Sequence, residues 1–172
     1  VSLAQREKAY MNVANLLGKK LGIYLSAVLL AYVLASVSAT QHVVSSLSSM
    51  GVSLEPGERV LMSVQDLAGM SGMFLPLIAF GFLVAFLVTA LLHYWLKRWQ
   101  TALYVLAGAA AIIAIHVLLN MAFNITPVAI ARNPGGLMIQ GLCGAAGGYL
   151  YIYLNRRFGS RIFDPVDDPD LQ

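Results

Sequence analysis

His116, Asn120 and Asn124 recur at i, i+4 and i+8 inside an apolar run, so on a helix they share one face. Gln140 opens the next apolar run at a similar depth. Hydrogen-bonding side chains in hydrocarbon must find partners. The first reading of these four residues is therefore a set of fasteners between helices; the second is a polar pocket or half-channel opening outward. His116 is the only deep candidate within the apolar runs for proton or ion coupling, which disfavours a proton-coupled or ion-coupled transporter.

The other candidates for chemistry are sparse. His93 lies at the end of one apolar run and His116 fifteen residues into the next, a depth difference of about 20 Å at the helical rise. They cannot share a haem iron, and His42 falls in a connecting segment. No clustered ligands suggest zinc or any other metal. Cys143 is the sole cysteine, which excludes an intramolecular disulfide and reads as a small buried hydrophobe. Asp66 and Glu58 have no evident nucleophile beside them, so the sequence offers no support for catalysis without excluding it.

Gly141, Gly144, Ala145 and Gly148 leave one side of the last apolar run almost bare of side chains. Such a face lets another helix backbone approach closely. The alternative is a cleft for a flat ligand, so the sequence predicts no cofactor but leaves contact with a lipid, quinone or pigment open. The glycines are no nucleotide loop, because no strand precedes them and no Lys-Ser/Thr follows. Small residues over Ala107 to Ala111 add close-packing surface that is expected to exceed what one bundle needs, leaving some for a neighbour.

The elements that must carry these residues follow from four apolar runs at about 21–39, 73–94, 101–123 and 137–154, none of which contains Lys, Arg, Asp or Glu. A hydrocarbon core about 30 Å thick takes roughly 20 helical residues to cross. The fold class is therefore an all-α membrane protein, a four-transmembrane-helix bundle forming a single domain over 1–172. Because three further spans follow it, the first run is expected to persist rather than serve as a cleaved leader. Nine basic residues (Arg6, Lys8, Lys19, Lys20, Lys97, Arg98, Arg156, Arg157, Arg161) fall on one side of the membrane, against Arg59 and Arg132 on the other. By the positive-inside rule both termini are cytoplasmic, in the inner membrane of a bacterial host. The net charge of +3 is met by anionic lipid headgroups and implies no nucleic-acid partner.

Trp95, Lys97, Arg98 and Trp99 form an aromatic and basic anchor at the turn between the second and third spans. Residues 1–20 read as a surface helix entering the first span. The outer loop, 40–72, is expected to hold two short amphipathic helices, one around Val43, Val44 and Leu47 and one after Pro56. The cytoplasmic tail, 155–172, ends in Asp164, Asp167, Asp168 and Asp170, which suit a basic neighbour. The expected partners are membrane lipids and other membrane subunits. The function read from all this is a non-catalytic accessory or assembly subunit of a larger membrane complex. A homo-oligomeric small-solute channel or transporter, and a lipid- or quinone-binding protein or enzyme, are the alternatives.

Overall fold

The computed structural model describes residues 3–93, 96–123 and 128–159, which are helices and connecting turns with no strand among them. In chain order the helices are α1 (Leu3–Ser49), α2 (Pro56–Ser71), α3 (Phe74–His93), α4 (Gln100–Phe123) and α5 (Pro134–Phe158). Short 3-10 turns at Lys97–Trp99 and Ala129–Arg132 lead into α4 and α5. All but α2 are long and apolar enough to cross a membrane. Their outward faces agree: Phe80, Leu83, Leu87 and Leu91 of α3, Leu106 and Leu118 of α4 and Leu142 of α5 are all exposed. So much uncovered apolar surface would be a liability in water and is what lipid requires.

α4 and α5 share the most extensive contact, α1 packs on α5, α3 packs on α4, and a narrower α1–α3 seam closes the ring. α2 lies over one end against α1 and α3. Near the opposite end the interior is filled by rings: Phe86 stands 4.5 Å from Tyr151 and 5.5 Å from Tyr104 between ring centroids, with Phe82 5.0 Å away.

The helix boundaries correct the expected loop. Residues 23–50 contain neither glycine nor proline, so nothing ends α1 where one bilayer crossing would be complete. The helix runs through Thr40, and Val43, Val44 and Leu47 lie in its last turns instead of forming a separate short helix. Its actual stop is a Schellman turn. Gly51 takes φ +85°, the Val52 N–H donates to the Leu47 carbonyl and the Gly51 N–H to the Ser48 carbonyl, each at 3.1 Å. α2 then starts with Pro56 in its first turn, where the missing N–H costs nothing. The Glu58 carboxylate accepts from the Glu55 N–H at 2.9 Å and fixes the entry. The segment before the first span is likewise continuous with it.

Candidate functional site

The polar residues of the bundle gather at the end covered by α2, and α1 supplies the framework. Ala31, Ala35 and Ala39 recur every four residues and are buried, so α1 approaches its neighbours closely there. Between and after them stand Ser36, Ser38 and Thr40. The Gln140 amide of α5 crosses to this helix, where Nε2 donates to the Ala35 carbonyl at 3.0 Å and to Ser38 Oγ at 3.1 Å. Ser38 in turn donates to the same carbonyl at 2.9 Å, and Cys143 Sγ lies 3.8 Å from its hydroxyl.

A second set of bonds ties α2 down. Thr40 Oγ1 lies 2.8 Å from Asp66 Oδ2 and 3.1 Å from the Ser36 carbonyl. Its single proton is best used on the carboxylate, the shorter and charge-assisted bond. Tyr32 donates its hydroxyl proton to the Leu67 carbonyl, and Ser36 Oγ sits 3.9 Å from Met70 Sδ. α2 is therefore latched onto α1 by side chains of the first span.

His116 projects from α4 into the same level and is only 2% exposed. Its ring is 5.6 Å from that of Phe74, tilted by 35°. The Gln140 amide stands against the imidazole without reaching hydrogen-bond geometry, so both ring nitrogens and Gln140 Oε1 are buried without a partner. Unpaired buried polar atoms are uncommon and costly. Beside them lies a cleft of about 160 Å³ lined by His116, Val117, Asn120, Met121, Ala131 and Leu137. Asn120 is exposed at its edge. The structure thus brings His116 to Gln140 and sets Asn120 one turn away; Asn124 lies outside the described residues.

The glycine face of α5 turns into the bundle. A Cβ on Gly144 would come within 2.2 Å of the Gly108 carbonyl oxygen, one on Gly108 within 2.2 Å of the Gly144 carbonyl, and one on Gly148 within 2.1 Å of the Tyr104 carbonyl. Gly141 meets the flexible end of Ile113 and Ala145 is half-buried. Of the small residues of α4, expected to leave surface for a neighbour, Gly108 meets Gly144 within the chain, whereas Ala110 stays exposed and Ala111 lies toward Gly81 of α3. At the anchor, Arg98 and Trp99 are exposed at the start of α4; Trp95 and the Lys97 side chain lie outside what is described, as do Asp164, Asp167, Asp168 and Asp170 of the tail.

Sequence reasoning missed Ser36, Ser38 and Thr40, and considered Asp66 only as a catalytic group, not as the partner of Thr40. The usable signal was the i, i+4 pair Ser36 and Thr40 in an otherwise apolar stretch. Comparison with known proteins gives no match: no family, no curated protein and no solved structure is detectably similar to this chain. Among the described residues no three His, Cys, Asp or Glu side chains group together as a metal site.

Proposed function

We propose that this chain is a non-catalytic subunit of a larger integral-membrane assembly, seated in a bacterial inner membrane with both ends cytoplasmic, and that α1 is its docking arm. The observation that supports this is the largely uncovered stretch of α1 between Val13 and Gly22. At 47 residues the helix is about 70 Å long, more than twice the roughly 30 Å hydrocarbon thickness. Val13, Leu17 and Leu21 are more than half exposed, and a Cβ added at Gly18 or Gly22 would meet nothing within 4 Å. Gly18, Gly22 and Ser26 follow small-xxx-small spacing, which suits close helix contact. A groove of about 360 Å³ beside them, lined by Lys19, Gly22, Ile23, Ser26, Leu154 and Phe158, is shaped by α1 and α5 together.

The aromatic filling of the interior by Phe82, Phe86, Tyr104 and Tyr151 weighs against a solute path through one bundle. The test is photo-crosslinking in native membranes from a reactive residue placed at Leu17 or Gly22. Adducts to another polypeptide are expected; adducts to lipid alone would contradict the proposal.

A further inference from the structure

Where α2 folds back along the last turns of α1, the two helices leave a polar groove between them. It holds about 470 Å³ and is lined by Gln41, Val44, Ser45, Ser48 and Ser49 of α1 and by Arg59 of α2. The pairing of the helices is fixed by Gln41 Nε2, which donates to Ser63 Oγ at 3.4 Å, and by the bond from Thr40 to Asp66. Arg59, one turn before Ser63, thus stands beside Ser45 and Ser48. Among the described residues its guanidinium makes no hydrogen bond or ion pair, and the hydroxyls of Ser45 and Ser48 make no hydrogen bond. No carboxylate lines the groove: Asp66 is held by Thr40, and Glu58 accepts from the Glu55 N–H. A guanidinium is all donors, and each hydroxyl adds one. Donors gathered about a positive charge repel a metal cation and match a tetrahedral oxyanion, which accepts from both helices at once.

Depth selects the source of that oxyanion. At the far end of the bundle Lys19 and Phe158 line one groove and Arg156 Nη2 donates to Gln100 Oε1 at 3.4 Å, so α1, α4 and α5 leave the membrane together there. Counted from Lys20 at about 1.5 Å per residue, a hydrocarbon core of about 30 Å ends near Thr40. Gln41, Ser45 and Ser48 then stand about 2, 8 and 12 Å beyond it, across the layer of roughly 5–8 Å that lipid headgroups occupy. Leu34, seven residues before Gln41 and on the same face of α1, is exposed, which gives an acyl chain a path from the groove into the bilayer.

We propose that the groove between α1 and α2 binds the phosphate of an anionic phospholipid from the adjoining leaflet, with Arg59 as its charge partner, Ser45 and Ser48 as hydroxyl donors and a tail lying against Leu34. A zwitterionic headgroup brings a second cation beside the guanidinium, and free phosphate has no tail to seat, so both bind more weakly. The site requires only that the bundle is embedded in a bilayer. It is independent of docking at the other end of α1, and either can fail without the other.

The experiment uses the full chain in phosphatidylcholine nanodiscs doped with a limiting amount of phosphatidylglycerol that carries a photoreactive diazirine at the top of one acyl chain. Adducts are located by peptide mapping. They should concentrate between Leu34 and Ser49, and unlabelled phosphatidylglycerol should displace them, whereas added phosphatidylcholine or inorganic phosphate at the same concentration should not. Arg59→Gln should lower the yield there about tenfold or more, the loss expected for a hydrogen bond to a charged group, with the thermal midpoint unchanged. The Ser45→Ala, Ser48→Ala double variant keeps every charge and should lower the yield several-fold, which separates directed donors from bare attraction. Adducts spread evenly over the lipid-facing surface, a yield indifferent to Arg59→Gln or to the double serine variant, or equal displacement by phosphatidylcholine or inorganic phosphate would each overturn the proposal.

Discussion

Two faces of small residues in this molecule have the same composition and opposite surroundings. On α5, Gly144 and Gly148 meet the backbone of α4 so closely that no Cβ fits. On α1, Gly18 and Gly22 meet nothing within 4 Å. Small-xxx-small spacing therefore marks where a backbone can approach, and whether one does depends on what the rest of the fold brings there. The α5 face is used within the chain. The α1 face has no partner among the described residues, and on our reading a second polypeptide covers it.

Substitution separates the two. The largest effect is expected for Gly144→Leu and Gly148→Leu, which drive side-chain atoms into the carbonyls of Gly108 and Tyr104. Overpacking against backbone should cost about 3 kcal/mol or more and appear as a large drop in the thermal midpoint or loss of the folded chain. A midpoint that does not move would show that α4 and α5 do not touch there.

Next comes the latch on α2. Thr40→Val removes the donor to Asp66 while keeping the side chain's shape, and should weaken the local hold on α2 by about 1–2 kcal/mol. Amide exchange across Pro56–Ser71 should then accelerate about tenfold while α4 and α5 keep their protection. Uniform change over the whole chain would contradict a local latch.

Gln140→Leu should have a smaller effect, about 1 kcal/mol, because it loses two donated bonds to α1 and also removes an unpaired oxygen. Denaturant titration in detergent measures it, and a loss above about 3 kcal/mol would mean that Gln140 is a principal fastener. At the bottom of the scale, Gly18→Leu and Gly22→Leu should leave the isolated chain within about 1 kcal/mol of its original stability. The sign should be favourable, because leucine is the better helix former and the added atoms enter open space.

The contrast also explains what could be read before any coordinates. The four spans were legible because a lipid slab demands uninterrupted apolar helix, and charge-free runs of that length have few other uses. The spacing of Gly144 and Gly148 announced a close contact but not its direction. Gly108, the receiving partner, sits in the Ala107 to Ala111 stretch that sequence reasoning treated as surplus. α1 was cut at Thr40 because a crossing was complete there, although helix propagation depends on the absence of breakers and none occurs between Thr40 and Gly51. The bond from Thr40 to Asp66 escaped notice because a threonine is unremarkable in an apolar helix. Its carboxylate partner is reached only when α2 folds back over the bundle. His116 and Gln140 were placed at one depth by counting residues, but their unpaired atoms could be found only from geometry.

The central claim, that α1 presents a docking face, is tested most directly by native mass spectrometry of the gently solubilised chain beside its Gly18→Leu, Gly22→Leu double variant. The wild-type chain should travel with at least one other polypeptide, and the double variant should fold with an unchanged or higher thermal midpoint and travel without it. A wild-type chain found as a lone monomer or a closed homo-oligomer, or a double variant that keeps its partner, would contradict the account.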